Sequence, residues 1–386
     1  MSKRLIIVTD QWGAKTGGCE AYLAELAKGV LAQGGRTDVL CRRSGEPLDD
    51  SNVVEIPCAP FPRWLSEWSF GRRARSWLRK ESGSPVLAVR PLENATHYQP
   101  HGGLYRLAFR AEGESLDAPL RRWLHPIGTA LNLKRNLLVE RQEKLLTKKD
   151  VPGIMVFSKR MRRQLQNLYQ VSSRRVLTCP LGVNLDLFRP AGIDGADTGE
   201  GDFPWRGDPR ILFVGHNFTL KGLHCLFQAL SRVKGPARKF HLAVAGNGPV
   251  KSFGRIARKL SIDDRVSFLG GVNRDRLIRL YRTAHALAHP TFYDHCSLVV
   301  LEALACGCPV ITTERNGASE LLRNGGEGII MDDPRDTRVL AETLESLEDG
   351  PMWRRMGRRG SRLMKKYSWK DHLQRTFGWL GLKIES

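Results

Sequence analysis

Short apolar runs alternate with amphipathic stretches along most of the chain. "RLIIVTD" at the start is an apolar run of strand length, whereas "EAYLAELAKGVLAQGG" repeats its apolar positions at helical spacing and ends in two glycines. These two patterns predict a strand followed by a helix. The same order continues through "TDVLC", "VLAV", "THYQ", "GIMVF", the helix "SKRMRRQLQNLY" and "RVLTCPLGV". Such alternation predicts an α/β fold with a parallel sheet and helices on both faces.

The pattern stops once and then starts afresh. The stretch "RPAGIDGADTGEGDFPWRGDP" is rich in Gly, Asp and Pro and has no periodicity, so we predict a linker at residues 190–209. A second strand and helix series runs from "RILFVG" to "PVITT". We therefore predict two doubly wound, Rossmann-like domains, at residues 1–189 and 210–367, with a helix at 368–386 packing back on the first. Because such sheets bind ligands at the carboxyl ends of their strands, we expect the domains to face each other across a binding cleft.

Composition supports a two-domain globular protein in a reducing compartment. The chain has 386 residues, 41% of them hydrophobic, and no apolar run approaches the roughly 20 residues that span a bilayer. The apolar run near the N-terminus breaks at Asp10, which suits a strand better than a signal peptide. Eight cysteines occur without a C-x-x-C pair, so we predict no metal site and a cytoplasmic location.

The net charge of +21 changes this picture. Such a surplus favours a polyanionic partner, an anionic surface or an acidic substrate. Nucleic acid is one candidate, but no zinc finger, helix-turn-helix spacing or RNP-type aromatic motif is present.

The stretch "FYDHCSLVVLEALACGCP" contains the most informative carboxylates. Glu302 lies within an apolar helical pattern, where a carboxylate is costly unless a polar group meets it. We predict a strand, a loop holding Asp294, and a helix beginning near Ser297. Loop amides and the helix dipole there would face an anion, and Glu302 could accept two hydrogen bonds from the vicinal diol of a ribose. The alternative is that Glu302 caps backbone or pairs with a basic side chain.

Two further loops are candidates for binding phosphate. "ILFVGHNFTLKG" places His216 and Lys221 between a predicted strand and helix, where a lysine can neutralise a phosphate. In "DQWGAKTGGCE", Gly17 and Gly18 precede a helix, where glycines let backbone amides approach a phosphate. A plain tight turn and a solvated lysine are the competing interpretations.

Together, "GVNLDLFRP", "AVAGNGP", "LGGV" and "LYRTAHALAHPTFYDHCSLVVLEALACGCPVITTERNGASELL" resemble the retaining GT-B glycosyltransferases of group 1 (family 4). "HGGLYR" and "NFTLKG" make the chain most similar to lipopolysaccharide-core glucosyltransferases. The resemblance implies that Glu302 contacts the ribose hydroxyls and that Asp294, where relatives usually have Glu, lies near the sugar. His216 stands where many members carry an arginine that binds the diphosphate. The donor-binding residues implied are Gly17, Gly18, His216, Lys221, Cys296, Ser297, Leu298 and Glu302.

The resemblance also implies a histidine beside the donor sugar and acceptor. His97 and His101 in "THYQPHGG" are both candidates, and we favour His101 because the glycine pair follows it. The catalytic set implied is His101, Asp294 and Lys221. Which of the two histidines acts is left open by the sequence.

The activity implied is retaining, metal-independent transfer of a sugar from a UDP- or GDP-sugar to a glycolipid or saccharide, in lipopolysaccharide or other cell-envelope glycan synthesis. No Asp-x-Asp pair occurs, so we expect no metal, and no cofactor beyond the nucleotide-sugar co-substrate. The alternative is a catalytically inactive GT-B-fold protein that binds anions or nucleic acid. An epimerase or a phosphorylase shares the two-domain design, but a phosphorylase needs a cofactor-lysine context that the sequence lacks.

The basic surplus predicts a peripheral position on the inner face of the cytoplasmic membrane, with an anionic membrane surface and not nucleic acid as partner. "FPRWLSEWSFGRRARSWLRK" interleaves aromatic and basic residues, which suits a lipid headgroup interface. Its aromatic residues are Trp64, Trp68, Phe70 and Trp77. A second basic stripe near the C-terminus contains Arg355, Arg358, Arg359, Arg362, Lys365 and Lys366. Solvated helix faces with buried tryptophans are the competing interpretation.

Overall fold

A computed structural model describes residues 3–13, 18–45, 51–81, 83–117, 119–191, 205 and 208–382. The chain folds into two compact units. The first unit comprises Met1–Arg110, Leu124–Pro180 and Lys370–Ser386, and the second comprises Ala111–Trp123 and Leu181–Trp369. Within the described residues, no helix is both long and apolar enough to cross a bilayer.

The first unit is built on a seven-stranded parallel sheet. Its strands, with a two-stranded ribbon formed by β2 and β4, are β1 (Arg4–Val8), β2 (Gln11–Trp12), β3 (Arg36–Cys41), β4 (Arg43–Ser44), β5 (Asn52–Glu55), β6 (Val86–Ala88), β7 (His97–Tyr98), β8 (Gly153–Val156) and β9 (Val176–Thr178). The sheet order is β5-β3-β1-β6-β7-β8-β9. Pairing of Arg4 with Arg36 and of Val8 with Leu40 sets the central register. The central strands β1 and β6 are apolar after Arg4 because helices cover both faces of the sheet.

The helices of this part of the chain are α1 (Gly18–Leu31), α2 (Arg63–Leu78), α3 (Tyr105–Glu114), α4 (Pro119–Ala130), α5 (Leu133–Leu146) and α6 (Lys159–Tyr169). The boundary between the units falls within α3 and within α4. On α2, Phe70, Ala74 and Leu78 are buried at helical spacing and pack against residues of β1, β3 and β6.

The second unit contains a six-stranded parallel sheet in the order β12-β11-β10-β13-β14-β15. Its strands are β10 (Arg210–Val214), β11 (His241–Ala245), β12 (Val266–Gly270), β13 (Ala286–Ala288), β14 (Val310–Thr313) and β15 (Gly328–Met331). Its helices are α7 (Leu223–Leu230), α8 (Val250–Lys259), α9 (Arg274–Thr283), α10 (Leu298–Ala305), α11 (Thr337–Glu345) and α12 (Gly350–Met364). Edge-to-face contacts of Phe218 with Phe213 and Phe253 lie in its core. Two parallel sheets flanked by helices confirm the predicted fold class.

The last helix, α13 (Trp369–Leu380), packs on the first unit. A Cβ at Gly29 of α1 would lie only 2.9 Å from Leu373 and 3.0 Å from Phe377, so glycine lets the two helices approach closely. On the strand side, the ring of His97 meets Trp379 at 4.4 Å between centroids.

The division between units differs in detail from the predicted bounds of 1–189, 190–209, 210–367 and 368–386. Residues 181–189 group with the second unit because Val183 exchanges backbone hydrogen bonds with Tyr367 and Trp369. Residues 111–123 do so as well, and Glu114 there pairs with Arg315 at 2.8 Å. Most of the predicted linker lies outside the described residues.

Candidate functional site

Lys221 and Asp294 form an ion pair at the carboxyl edge of the second sheet. Lys221 lies in the loop after β10 and Asp294 in the loop after the neighbouring strand β13, so the parallel pairing brings the two loops together. Lys221 Nζ lies 2.6 Å from Asp294 Oδ2 and 3.4 Å from the carbonyl oxygen of Tyr293. Their side chains are 20% and 8% exposed, respectively. An ammonium group has three donors, so Lys221 can hold both of these partners and still contact a ligand.

A glycine makes this loop geometry possible. Gly222 follows Lys221 with φ of 77°, and a Cβ there would lie 2.0 Å from the carbonyl oxygen of Pro290. Any larger residue would therefore push apart the loops that carry Lys221 and Asp294.

Asp294 is held as a carboxylate by its surroundings. Burial alone would raise the pKa of Asp294, but Lys221 and the nearby His289 hold it well below its usual range. The backbone amide of Cys296 donates to Asp294 Oδ1 at 3.2 Å. The arrangement is therefore a fixed negative charge that orients the ammonium of Lys221.

Glu302 is the second carboxylate of this region. It lies on α10 with its side chain mostly buried, and its Oε2 accepts a hydrogen bond of 3.1 Å from the hydroxyl of Tyr281 on α9. Burial raises the pKa of Glu302 to about 7 despite this donor. Glu302 is thus poised to change its charge close to neutral pH.

Asn316 organises the loops and was missed by sequence reasoning. Its Oδ1 accepts from the backbone amides of Ser297 at 3.2 Å and Ala318 at 3.1 Å, while its Nδ2 donates to Thr312 at 3.1 Å. Asn316 is fully buried. It joins the loop after β14 to the start of α10, and only its position within "ERNG", a turn-like sequence, could have indicated it.

The other predicted donor-site residues of the second unit occupy its carboxyl edge in different ways. His216 accepts a hydrogen bond of 3.2 Å at Nδ1 from the backbone amide of Asn247. The hydroxyl of buried Ser297 lies 3.3 Å from His289 Nε2, and Leu298 is the first residue of α10. In the first unit, Gly18 begins α1, whereas Gly17 lies outside the described residues.

The two candidate histidines of the first unit lie on opposite ends of β7. His97 begins the strand, and its Nε2 lies 3.1 Å from the carbonyl oxygen of Trp379. Burial lowers the pKa of His97. His101 follows the carboxyl end of the strand and is half-buried, with Nε2 2.9 Å from Gln99 Oε1. Since ligands bind at the carboxyl ends of parallel strands, the position of His101 suits contact with a ligand of the first unit.

A ring of four charged side chains at the carboxyl edge of the first sheet was also missed. Asp10 and Glu67 each pair with both Arg42 and Arg90, at 3.0 Å for Asp10 with Arg42 and 2.8 Å for Glu67 with Arg42. Both guanidinium groups also lie over the ring of Phe70. The ring holds equal numbers of acids and bases, and Asp10, 39% exposed, is its most open member.

Two family models match the chain in succession. Residues 16–187 match the model described as Glycosyltransferase Family 4, and residues 202–363 match the model described as Glycosyl transferases group 1.

Curated relatives with similar sequences are D-inositol 3-phosphate glycosyltransferases. The protein of Thermomonospora curvata is 28% identical over 374 residues, which cover 89% of this chain and 85% of the relative. That of Nocardia farcinica is 31% identical over 216 residues, which cover 54% of this chain and 47% of the relative.

Solved structures share the fold. WaaG, a glycosyltransferase involved in lipopolysaccharide biosynthesis, superposes with a TM-score of 0.83 at 17% identity, covering 96% of this chain and 98% of WaaG. Anabaena HepE in complex with UDP and glucose superposes with a TM-score of 0.70 at 15% identity, covering 98% of this chain and 99% of HepE.

Proposed function

The chain belongs to the group 1 glycosyltransferases with the GT-B fold, and from this premise we propose that it moves a sugar from a nucleotide diphosphate sugar to a glycolipid or saccharide acceptor. The observation that carries the proposal is the pairing of Lys221 with Asp294, with Glu302 on the helix that follows the Asp294 loop. The ammonium of Lys221 suits the diphosphate of a ligand, and the carboxylate of Glu302 suits the hydroxyls of its ribose. UDP binding by HepE, a fold relative, supports a uridine nucleotide as the first donor to test.

The role proposed for Lys221 is to stabilise the leaving diphosphate. Charge builds on the β-phosphate as the glycosidic bond breaks, and a preorganised cation stabilises that charge more than it stabilises the ground state. Asp294 keeps the ammonium oriented before the substrate arrives, so little reorganisation is needed during the reaction. Glu302 in its ionised form would accept hydrogen bonds from the ribose hydroxyls.

We propose that transfer is metal-independent and retains the anomeric configuration. Lys221 supplies a positive charge that a metal ion supplies in enzymes with an Asp-x-Asp pair, which this chain lacks. Retention rests on the family resemblance, in which the leaving phosphate assists attack from the front face of the sugar. His101 is placed beside the sugar and the attacking hydroxyl in this scheme.

Two acceptor classes have support from relatives. The structural likeness to WaaG favours an acceptor in lipopolysaccharide or another cell-envelope glycan. The names of the curated relatives favour inositol 3-phosphate as a second candidate, and its phosphate suits a strongly basic chain. Both acceptors are anionic in part, so net charge does not separate them.

An anionic membrane surface is the partner we propose for the exposed apolar residues of the first unit. Trp64 and Trp68 on α2 are 39% and 41% exposed, and Phe61 just before α2 is 79% exposed. Phe70 is instead buried, so its predicted place at the interface is wrong, because it lies on the core face of α2. Arg72 and Arg73 on the same helix are exposed.

Helix α4 and the residue that follows it, Leu131, add exposed apolar side chains that the sequence pattern did not single out. Leu124, Ile127 and Leu131 follow one another at helical spacing and are 44%, 52% and 76% exposed. A groove of about 660 Å³ beside them is lined by Arg63, Trp64, Phe109, Gly128, Leu131, Asn132, Leu133, Lys134, Arg135 and Leu138. Apolar and basic side chains together suit insertion among anionic headgroups. This lipid-facing surface, defined by Trp64, Trp68, Arg72, Arg73, Leu124, Ile127 and Leu131, supports a peripheral position at the cytoplasmic face of a membrane.

The proposed activity is tested by incubating the protein with UDP-, GDP- and ADP-sugars and measuring nucleotide release, with and without acceptor. One arm supplies inositol 3-phosphate and another supplies deacylated or intact lipopolysaccharide core. We expect release that increases with one acceptor and persists in EDTA. Absence of release from every nucleotide sugar with every acceptor would contradict the proposal.

A further inference from the structure

A relay of hydrogen bonds, formed by His101, Gln99, Tyr22 and His372, joins His101 to the C-terminal helix α13. His101 Nε2 lies 2.9 Å from Gln99 Oε1, Gln99 Nε2 lies 2.9 Å from the hydroxyl of Tyr22, and that hydroxyl lies 3.0 Å from His372 Nε2. His372 Nδ1 then meets the carbonyl oxygen of Pro180 at 2.8 Å. Gln99, Tyr22 and His372 are at most 3% exposed, so solvent does not compete for these contacts.

The contact with Pro180, at the end of the relay farthest from His101, fixes which nitrogen of His372 carries the hydrogen. The carbonyl oxygen of Pro180 can only accept, so His372 Nδ1 must carry the hydrogen that it donates. Burial lowers the pKa of His372 to about 4, so near neutral pH the ring has one hydrogen and Nε2 is an acceptor. The hydroxyl of Thr376 also lies 3.4 Å from Nε2, but it donates its hydrogen to the carbonyl oxygen of His372 at 2.8 Å, so the hydroxyl of Tyr22, at 3.0 Å, donates to His372 Nε2.

The orientation of Gln99 follows from two neighbours. Because the hydroxyl of Tyr22 donates its hydrogen to His372, its oxygen must accept a hydrogen bond from the side-chain amide of Gln99. The thioether of Met155, 3.1 Å from Gln99 Nε2, can only accept as well. Both contacts require the amide nitrogen of Gln99 to face Tyr22 and Met155, which leaves its oxygen facing His101.

The opposite direction of donation is unfavourable at two points. If Gln99 Oε1 faced Tyr22, its oxygen would also face the sulfur of Met155, and two acceptors would be in contact. If Tyr22 accepted from His372 Nε2, the lone pair of His372 Nδ1 would face the carbonyl oxygen of Pro180 at 2.8 Å. Each contact of that kind leaves a buried acceptor unsatisfied. The thiol of Cys179, 3.4 Å from His372 Nδ1, is a weak donor and does not replace the missing hydrogen bond.

We propose that Gln99, Tyr22 and His372 are positioning residues that hold His101 as the tautomer with its hydrogen on Nε2, so that Nδ1 is the basic nitrogen of the ring. The functional consequence rests on the proposed glycosyltransfer: Nδ1 accepts a hydrogen bond from a hydroxyl of the sugar or acceptor. The rings of Tyr22 and Phe157, 4.7 and 5.1 Å from His101 between centroids, hold the plane of the imidazole. Residues far apart in sequence thus set the chemistry of one histidine.

The test is nitrogen-15 NMR of the full-length protein labelled in its histidine rings. The chain has ten histidines, and the signals of His101 are those lost in His101→Gln. Nitrogen shifts and two-bond couplings report which ring nitrogen carries the hydrogen. We expect Nε2–H in the wild type, and a mixture of both tautomers in Tyr22→Phe and in Gln99→Met, which remove the relay while keeping the side-chain shapes.

The matched control is Tyr98→Phe. It removes another buried tyrosine hydroxyl of the same unit, one that accepts from Gln142 at 2.7 Å and lies outside the relay. The tautomer of His101 should be unchanged in this variant. An Nδ1–H tautomer in the wild type, which needs no variant to fold, would overturn the proposal, as would an unchanged wild-type tautomer in both relay variants.

Steady-state kinetics separate this proposal from the proposed function. If both hold, Tyr22→Phe lowers kcat about tenfold, the effect of one lost hydrogen bond, and leaves the KM of the nucleotide sugar unchanged. A changed tautomer with an unchanged kcat would support the relay and overturn the role of His101 in transfer.

Discussion

At the carboxyl edge of the second sheet, the ammonium group of Lys221 is held by the carboxylate of Asp294, which is only 8% exposed. At the carboxyl edge of the first sheet, the ring of His101 is held through uncharged amide, hydroxyl and imidazole groups. Lys221 and Asp294 suit the binding of a charged ligand. Gln99, Tyr22 and His372 suit the orientation of a proton donor and acceptor. In the proposed function, one unit binds the leaving group by charge, and the other presents a histidine whose tautomer is held by uncharged side chains.

Replacing Lys221 with Ala should have the largest effect. The change removes the cation proposed for the diphosphate, and transfer should fall by about a hundredfold or more. It also leaves Asp294 buried without its main partner, which should lower the free energy of unfolding by about 3 kcal/mol. Initial rates and urea unfolding measure the two effects.

The control is Lys251→Ala, an exposed lysine on α8 of the same unit, which should leave both quantities unchanged. Lys221→Met combined with Asp294→Asn should restore stability without restoring transfer. Turnover near the wild-type rate in Lys221→Ala would contradict the proposal that Lys221 stabilises the leaving diphosphate.

The surfaces of the two units should differ in lipid binding. Changing Arg72 and Arg73 to Glu should weaken sedimentation with anionic liposomes at least tenfold, since each basic residue near such a surface contributes about 1 kcal/mol. Changing Leu124, Ile127 and Leu131 to Ser should weaken it as well, and added salt should weaken the wild type because charges are screened.

Leu168→Ser is the matched control, because Leu168 is 42% exposed on α6 of the same unit and outside the lipid-facing surface. Equal recovery of the wild type with neutral and anionic liposomes at low salt would contradict membrane association.

The partly buried Glu302 and the buried His372 should give the two units opposite pH dependence of stability. The pKa of Glu302 is raised from 4.5 to about 7 in the folded state, so its contribution to stability is lost as pH rises through about 7. The pKa of His372 is lowered from 6.5 to about 4, so its contribution is lost as pH falls from 6.5 toward 4. Melting temperatures measured from pH 4 to pH 8 for wild type, Glu302→Gln and His372→Asn test both signs.

Relative to the wild type, Glu302→Gln should gain a few degrees as pH rises, and His372→Asn should gain as pH falls. Parallel curves for wild type and Glu302→Gln would show that Glu302 titrates near its ordinary value.

The same contrast explains what sequence could predict. Asp294 and Glu302 lie within one loop and the helix after it, and Lys221 lies in another loop between a strand and a helix, so local pattern was sufficient to single them out. The pairing of β10 with β13, which brings the two loops together, was not predicted. The burial of Phe70 follows from its spacing with Ala74 and Leu78, although charge and aromatic content alone indicated a surface.

The relay could not be predicted in this way. Tyr22 and His372 are separated by 350 positions and meet only because α13 packs against α1. Asn316 has no charge or metal-ligand spacing that would mark it, and its role is visible only from the amides that it accepts. Long-range hydrogen bonds of uncharged side chains leave no periodic signal in a single sequence.

Calorimetric titration of nucleoside diphosphates in the presence of EDTA tests the central claim most directly, because it isolates the charged site of the second unit from acceptor chemistry. The account predicts that wild type binds UDP or GDP with an affinity that EDTA does not change, that Lys221→Ala and Glu302→Ala weaken binding at least tenfold, and that His101→Gln binds as the wild type does. The account would be contradicted if the wild type bound neither nucleotide, or if Lys221→Ala and Glu302→Ala bound it with the affinity of the wild type.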